Sequence, residues 1–407
     1  MNVRVRRAHI AWGVIGIIAV GVVAIVGLLL GKWPSYSPVV EDVPKVAKKP
    51  VVTPKTLESK ALFMGDVYWG RYINEWSQKS PLKTAYPFSR LDEFHRDKYD
   101  AWVADLECPT VPSVHLTAAE EEETLNFNCD PSYLPEAAKW FTIFSNANNH
   151  SDNQDGQKGI KTTRQELDKN GIQYFGNADP DILSDVCEVV SFPVHVTMSD
   201  QSVKKRFLPI AMCGYHGVFK IPSAESLAVM KQYSKVMPVI AYPHSGAEYQ
   251  PAPDQIKTDL YRAMIDNGAD VVLGDHPHWV QTTEAYKGHL IVYAMNNFIF
   301  DQQFNLEVTR AAVVDLDLSL AKGADVSDLA KWLDLGDTCK GFHDDCLAQA
   351  ESEGLKKLDF RWHFSIIGAR DNGKLAHPAT KAETQGILDR LNWSSTVKQL
   401  QSPYSGS

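Results

Sequence analysis

At 407 residues the chain is long enough for one large domain or two ordinary ones, with appendages. Its 44% hydrophobic and 22% charged residues are typical of a folded protein. The formal net charge of -9 argues against a general role in binding nucleic acid or anionic lipid, so bulk charge does not select its partners.

The first predicted element is a membrane-spanning helix over residues 8–31. This stretch has no charged residue, and at about 1.5 Å per residue it can cross a hydrocarbon core of about 30 Å. Arg4, Arg6 and Arg7 precede it, so the positive-inside rule places residues 1–7 in the cytoplasm and the main domain outside the cell membrane. A cleaved signal peptide is the alternative, but its apolar region is usually only about 7–15 residues long.

Residues 32–57 are predicted to form a linker. Prolines recur through 34–57 with little periodicity, which is typical of a semi-rigid, extended spacer. About 20 such residues at about 3.1 Å each would span about 60 Å and hold the folded part away from the membrane.

From residue 60 onward, short apolar runs are each followed by a tight group of polar residues. The runs are four to eight residues long and rich in Val, Ile, Phe or Ala, as buried strands are. They are "ALFM", "AWVADL", "WFTIFSNA", "VMPVIAY", "DVVL" and "LIVYAM". The polar residues that follow them include Asp66, Glu107, Asn149, His150, His244, residues 274–278, Asn296 and Asn297.

Helical patterns lie between several of these runs, at 157–172 and 253–270. One helix face is formed by Ile160, Thr163 and Leu167 in the first, and by Ile256, Leu260, Ala263 and Met264 in the second. Gly171 and Gly268 are predicted to end the two helices. Strand and helix alternation of this kind predicts an α/β fold with mostly parallel strands, in which ligands bind outside the carboxyl ends of the strands.

The last part of the chain is predicted to complete this domain. Residues 321–357 resemble a polar insertion, rich in aspartate, with one amphipathic turn and a local disulfide. Residues 358–395 hold a last strand over 360–369 and a terminal helix, and 396–407 are predicted to be a frayed tail.

The six cysteines include no CxxC pair, which indicates disulfides in an extracytoplasmic location and not a zinc site. Six cysteines allow fifteen pairings. The short separations favour Cys108–Cys129, Cys187–Cys213 and Cys339–Cys346. Buried free thiols in a reducing compartment are the alternative.

The polar residues at the predicted strand ends form a set of metal ligands. The set is Asp66, Glu107, Asn149, His150, His244, His276 and His278. Carboxylate and amide oxygens with imidazole nitrogens suit Mn, Fe or Zn, and a shared carboxylate can bridge two ions. Each residue alone has an ordinary explanation, such as a turn or helix N-cap for Asp66, and the acidic run 120–123 is predicted to be a solvated face. The shared position at strand ends favours a site.

Several motifs, in order from about Ala61 to about Asp301, resemble the CapA family of capsule and poly-γ-glutamate biosynthesis proteins, in the calcineurin-like metallophosphatase superfamily. The matching stretches are "FMGDVYWGR", "DLEC", "ANNHSDNQDGQKGIKTTRQELDKNGIQYFG", "HSGAEY" and "GADVVLGDHPHWVQTTEAYKGHLIVYAMNNFIFD". The resemblance implies a four-layer αββα sandwich over 58–320, with two divalent metal ions, Mn, Fe or Zn, held by loops at the sheet ends.

The resemblance also implies roles for single residues. The implied metal ligands are Asp66 and His278 for the first ion, Asn149, His244 and His276 for the second, and Glu107 between them. The implied catalytic residues are His150, as general acid or transition-state stabiliser, with Arg71 and Glu248 lining the pocket. The superfamily's D-x-H is Asp66-Val67-Tyr68 here, so the first ion lacks one histidine. Asp275 is interpreted as a carboxylate that supports a neighbouring ligand.

Three functions are compatible with these residues. The first is capsule or poly-γ-glutamate synthesis or export, with an anionic exopolymer, the membrane and other capsule-synthesis membrane subunits as partners and no nucleic acid. The second is a metal-dependent phosphoesterase or exopolymer hydrolase. The third is a degenerate domain that binds polymer without catalysis, an alternative that Tyr68 leaves open.

Overall fold

The structure is a computed structural model that describes residues 51–339, 345–372 and 374–407. The predicted N-terminal residues 1–7, the membrane-spanning helix 8–31 and most of the linker lie outside the described residues. Within the described ranges, no helix combines the length and the apolar character needed to cross a membrane.

Strands dominate the fold. They are β1 (Pro54–Val67), β2 (Ala101–Leu106), β3 (Ile143–Ser145), β4 (Gln173–Phe175), β5 (Cys187–Met198), β6 (Val203–Gly217), β7 (Val239–Ser245), β8 (Val271–Leu273), β9 (Thr283–Tyr286), β10 (His289–Val292), β11 (Arg310–Leu320), β12 (Phe360–Arg370), β13 (His377–Pro378) and β14 (Tyr404–Gly406).

Helices connect and flank these strands. They are α1 (Arg71–Lys79), α2 (Ala118–Thr124), α3 (Leu134–Ala137), α4 (Gln157–Lys169), α5 (Ala224–Ala228), α6 (Met230–Ser234), α7 (Gln255–Asp266), α8 (Leu329–Cys339), α9 (Cys346–Ser352), α10 (Lys381–Leu391) and α11 (Trp393–Val397). Short 3-10 turns occur at Lys83–Phe88, Leu91–Phe94, Arg96–Lys98, Pro131–Tyr133, Leu183–Asp185 and Glu307–Thr309.

The strands form one hydrogen-bonded network of mixed direction. Two parallel runs, β1-β2-β3-β4 and β6-β7-β8-β10, are joined by β5. Because β5 is antiparallel to both β1 and β6, the two runs point the same way and their carboxyl ends lie at the same edge. The predicted α/β fold is therefore confirmed as a mixed α/β sheet fold, while the prediction of mostly parallel pairing holds only within these two runs. The long strands β5, β11 and β12 pair antiparallel.

Both faces of the sheet are covered. Along β1, Ala61 and Phe63 belong to one hydrophobic cluster, whereas Leu62 and Met64 belong to another, because successive side chains of a strand point to opposite faces. The first cluster includes residues of α7, α8 and α10, and the second includes residues of α1, α3 and α4. Helices therefore pack on both sides of the central strands, which leaves the strand ends as the place for polar side chains.

The two predicted helices are present as α4 and α7, and each is followed by a glycine with positive φ, Gly171 and Gly268. In α7 the predicted apolar face is only partly packed, because Leu260 and Met264 are buried but Ile256 is 62% exposed. Lys257 is buried in its place, since it lies one turn before Leu260 and Tyr261 on the packed face.

The boundaries predicted for the linker and tail need correction. The linker was expected to run to residue 57, but β1 begins at Pro54, and Leu57 is buried opposite Val196 of β5. The prediction of a frayed tail is also wrong, because β14 pairs in parallel with β12. Tyr404 is buried there, and its hydroxyl donates to Asp270 at 2.9 Å.

The segment 321–357 is not the polar insertion with one amphipathic turn that its aspartates suggested. It contains α8 and α9, and α8 buries Leu329, Trp332, Leu333 and Leu335 in the main core. The aspartates of α8 occupy the opposite, exposed face. The high aspartate content therefore suggested a polar insertion where the chain forms an amphipathic helix of three turns.

All three predicted disulfides are present: Cys108–Cys129, Cys187–Cys213 and Cys339–Cys346. No free cysteine is left among the described residues, and all six cysteines are described. The pairing predicted from the short separations is therefore confirmed.

Candidate metal centre

The carboxyl ends of both parallel runs bring the predicted ligands together. Asp66 ends β1 and Glu107 follows β2, whereas Asn149 and His150 follow β3. From the other run, His244 lies in β7, and His276 and His278 follow β8. Contacts join all seven side chains into one cluster, as described below.

Glu107 is the centre of this cluster. Its Oε1 atom lies 3.8 Å from Nε2 of His150, 3.8 Å from Nε2 of His244 and 4.0 Å from Nε2 of His278. Asp66 lies close by, with Oδ1 3.5 Å from Nδ1 of His244 and Oδ2 3.5 Å from Nδ1 of His278. Two ligands of one ion, each about 2.1 Å from it, are at most about 4.2 Å apart, so the separations between Glu107 and the Nε2 atoms fit shared coordination.

Two groups in this cluster could hold metal ions. One consists of Asp66, Glu107 and His244, and the other of Glu107, His276 and His278, with ligand atoms that lie within 4.8 Å of one another. Glu107 belongs to both groups, as a bridging carboxylate would. The grouping differs from the one that the resemblance implies, which assigns His278 to the same ion as Asp66.

The buried carboxylates of this cluster favour a bound cation. Asp66 and Glu107 are fully buried, yet within the described residues none of their carboxylate oxygens has a hydrogen-bond partner. Burying an unpaired carboxylate is costly, so these atoms fit positively charged ligands such as divalent metal ions.

The backbone is shaped to bring these strand ends close together. A Cβ atom on Gly65 would lie 1.7 Å from the carbonyl oxygen of Asn296, so only glycine permits this approach next to Asp66. His276 and His278 adopt positive φ angles of 95° and 53°, with Pro277 between them. Strained conformations of this kind persist where the surroundings enforce them, which is consistent with a functional role for the turn.

A neighbouring amide fixes the tautomer of His278. Oδ1 of Asn297 lies 2.6 Å from Nδ1 of His278, and the Asn297 Nδ2 group donates to the carbonyl of Val308. The atom that faces the imidazole is therefore the oxygen, so Nδ1 of His278 carries the hydrogen. Nε2 is left with its lone pair, on the side of Glu107.

Burial shifts the titration of the cluster. Desolvation, assisted by the charges of Asp66 and Asp105, raises the pKa of Glu107 well above its usual value. Desolvation lowers the pKa of His150 and of His244 to about 3. Burial is the largest influence on His278 and acts to lower its pKa, but the nearby carboxylates of Asp66 and Glu248 and the contact with Asn297 together outweigh burial, so the pKa is raised. Metal ions bind neutral imidazoles and ionised carboxylates, so the lowered pKa of His244 favours metal binding, whereas Glu107 would lose its proton when an ion binds.

Sequence reasoning missed Asp105. Its Oδ2 atom lies 3.0 Å from Nδ1 of His244, and its Oδ1 accepts a hydrogen bond from Nδ2 of Asn148 at 3.1 Å. Burial raises its pKa to about 7. The signal was available, because Asp105 and Glu107 are two residues apart at a strand end and side chains at that spacing point to the same face.

Asp275 has the supporting position that was predicted for it. Its Oδ1 accepts hydrogen bonds from the backbone N–H of His276 at 3.2 Å and of Asn296 at 2.9 Å. The carboxylate thereby links the turn after β8 to the turn after β10.

Arg71 and Glu248 differ in their settings. The Arg71 guanidinium is buried and bound to Asp301 through two hydrogen bonds of 2.9 and 2.5 Å, with the ring of Phe127 at 4.8 Å. Its charge is thus already paired within the chain. Glu248 is exposed and close enough for its charge to raise the pKa of Glu107 and His278, so it lies near the rim of the cluster.

The prediction that residues 120–123 form a solvated face is wrong for Glu121. Its carboxylate is 2% exposed and accepts backbone N–H groups from Arg71 at 2.6 Å and from Asn128 at 2.8 Å. Glu121 therefore fastens α2 to the start of α1, beside the cluster.

Comparison with known proteins places these residues in a family context. The sequence model of the family described as "Bacterial capsule synthesis protein PGA_cap" matches residues 60–185 and 216–302, about half of the chain, and these ranges contain every predicted metal ligand. The chain is 27% identical to the "PGA biosynthesis protein CapA" of Bacillus subtilis strain 168 over 261 residues, which are 60% of this chain and 63% of that protein.

A second relative is the "Capsule biosynthesis protein CapA" of Bacillus anthracis, 26% identical over 297 residues, which are 64% of this chain and 67% of that protein. The matched part thus spans less than two thirds of the first relative and about two thirds of the second. Among solved structures, TT1561 of Thermus thermophilus is similar with a TM-score of 0.36 and 7% identity, over 63% of this chain and 93% of that one. A similarity that distant carries no argument.

Proposed function

The chain belongs to the bacterial capsule synthesis protein family, and from that premise we propose that it acts in the synthesis or export of a capsule polymer such as poly-γ-glutamate. The names of the two Bacillus relatives support this role. The apolar stretch 8–31 supports a single-pass anchor in the cell membrane, with the domain on the extracytoplasmic side and in reach of other capsule-synthesis membrane subunits.

The same proposal includes a dinuclear metal site. The observation that carries it is Glu107, which is fully buried, has two unpartnered oxygens and belongs to both groups of candidate ligands. Asp66 and His244 on one side, and His276 and His278 on the other, would hold two ions of Mn, Fe or Zn type. Such ions, when bound, supply positive charge that binds anionic groups of a polymer and lowers the pKa of water.

Other residues of the chain complete the proposed centre or orient its ligands. Asn149 contacts Nε2 of His244 through Oδ1 at 2.8 Å and completes that side of the centre. Asn297 orients His278, and Asp275 holds the backbone of His276. The αββα sandwich implied by the resemblance is part of this proposal, supported by the two hydrophobic clusters and by helices on both faces of the sheet.

Metal content tests the proposal directly. Purified full-length chain, supplied with Mn, Fe and Zn, should retain about two ions per chain by elemental analysis, whereas Glu107→Gln and His244→Ala should lose at least one. Asp100→Asn is a matched control, since Asp100 also lies against a histidine, with 3.2 Å between its Oδ1 and Nδ1 of His195, outside the cluster. A wild-type chain that retains no divalent ion under these conditions would refute the dinuclear site.

Hydrolysis is a second candidate function, and the nearly complete ligand set with its shared carboxylate favours it. Cells that lack the gene and carry either wild type or Glu107→Gln distinguish the two functions. Less surface polymer of unchanged chain length in the variant indicates assembly, whereas longer polymer chains indicate hydrolysis. Unchanged polymer amount and length would contradict both.

A further inference from the structure

The segment between Cys108 and Cys129, residues 109–128, lies against the loop that carries His150 and is called the arm below. Its Phe127 ring stacks on the His150 ring, with centroids 3.9 Å apart and planes 21° apart. The disulfide closes the arm at its base, directly after Glu107. The arm thus covers one face of an imidazole whose Nε2 atom lies 3.8 Å from Oε1 of Glu107.

Asn153 joins the arm to His150 through one oxygen atom. Oδ1 of Asn153 accepts the backbone N–H of Phe127 at 2.8 Å and lies 2.8 Å from Nδ1 of His150. A main-chain N–H can only donate, so the Asn153 atom at this point is the oxygen and not the amide nitrogen. The partner of that oxygen on His150 must then be a donor, which places the hydrogen on Nδ1.

We propose that Asn153, oriented by the arm, is a positioning residue that holds His150 as the Nδ1–H tautomer and presents the Nε2 lone pair to the metal centre. Nε2 lies 3.8 Å from Oε1 of Glu107, so the lone pair is directed at the cluster. With the hydrogen on Nδ1, the lone pair of Nε2 is free to accept from a donor or to bind a cation at the centre. The role that follows from the geometry is an acceptor at the centre.

Other contacts of the arm support this arrangement. Nε2 of Gln154 donates to the carbonyl of Phe127 and to Oδ1 of Asn126, each at 3.0 Å. Asn153 and Gln154, which are consecutive in the His150 loop, therefore bind the consecutive arm residues Phe127 and Asn126. These contacts together fix the position of the Phe127 N–H group relative to Asn153.

The tautomer can be measured without any metal ion. Histidine-labelled, chelator-treated full chain gives ¹H–¹⁵N long-range spectra in which the protonated and unprotonated ring nitrogens differ, and the His150 signals are those lost in His150→Gln. Wild type should show Nδ1–H. Asn153→Ala should shift the tautomer ratio about tenfold toward Nε2–H, as expected for loss of one buried hydrogen bond. Asn153→Asp keeps an acceptor at this point and should retain Nδ1–H.

Glu123→Ala is the matched control, because Glu123 is an exposed residue of the same arm that takes no part in the contacts described above, and it should leave the ratio unchanged. An Nε2–H tautomer in wild type, or an unchanged ratio in Asn153→Ala, would overturn the inference. The acceptor role rests on the proposed metal centre, but the tautomer does not. Wild type that shows Nδ1–H yet binds no metal would overturn the proposed function alone.

Discussion

The arm and the segment 321–357 resemble each other in sequence and differ in what they cover. Both are polar and acidic, and each contains or ends at a disulfide of short span. The arm leaves the carboxyl end of β2 and contacts His150 through Phe127. The segment 321–357 leaves β11, which runs antiparallel to β1, so it starts at the opposite edge of the sheet from Asp66.

The edge of the sheet at which a segment starts therefore decides whether it contacts the candidate site or packs on the core. At the site edge, the buried residues of the arm bind polar groups, as Glu121 does with two backbone N–H groups. At the far edge, α8 packs apolar side chains on β5 and β6, and a Cβ atom on Gly336 would lie 2.1 Å from the carbonyl of Phe207. Charge content and loop length alone do not separate a segment that serves a site from one that completes a core.

The largest expected effect lies at the far edge. Trp332 is 2% exposed in the core, and Trp332→Ala should lower the free energy of unfolding by about 3–5 kcal/mol, because it leaves a large cavity. Denaturant unfolding measures the loss, and metal content per folded chain should stay unchanged. Lys331→Ala, an exposed neighbour, should change the free energy by less than about 0.5 kcal/mol. Loss of metal in folded Trp332→Ala would break the distinction between the two regions.

The disulfides give the next largest effect. Cys108→Ser with Cys129→Ser opens a span of 21 residues and should cost about 3 kcal/mol, whereas Cys339→Ser with Cys346→Ser opens a span of 7 and should cost about 2 kcal/mol. Only the first pair should also weaken metal binding, by about tenfold or more, since Cys108 follows Glu107. Calorimetric unfolding and metal competition measure the two quantities. Equal metal affinity in both double variants would show that the arm does not support the centre.

The sequence predicted the parts of this molecule that local pattern determines. "AWVADL" is β2 to the residue, and Asp66, Glu107 and His244 converge because carboxyl ends of parallel strands share an edge. The burial of Trp332 and Glu121 was not predictable in this way, since both depend on which distant strand or loop each short helix meets. The contact of Asn153 with Phe127 joins residues from two loops, and neither loop has a periodicity that would reveal the other.

A smaller effect is expected within the arm itself. Glu121→Ala removes the acceptor of the Arg71 and Asn128 backbone N–H groups and should cost about 1–3 kcal/mol, because both donors are left buried and unpaired. Glu123→Ala, on the same helix and exposed, should change the free energy of unfolding by less than about 0.5 kcal/mol. Thermal unfolding of the two variants measures these changes. Similar losses of stability for both would contradict the structural role of Glu121 and favour the solvated face predicted from the sequence.

The last expected effect is a pH dependence of stability that the buried imidazole of His150 should produce. Burial lowers the pKa of His150 from the ordinary 6.5 to about 3, so between these values the unfolded chain binds a proton that the folded chain does not. The contribution to stability is therefore present above pH about 6.5 and is lost as the pH falls toward 3, at up to about 1.4 kcal/mol per pH unit. In metal-free His150→Gln, stability should fall less steeply between pH about 6 and 4, whereas Asn126→Ala, which removes no titratable group, should follow wild type. Denaturant midpoints measured across this range test the difference, and parallel curves for His150→Gln and wild type would mean that the arm does not keep this imidazole from water.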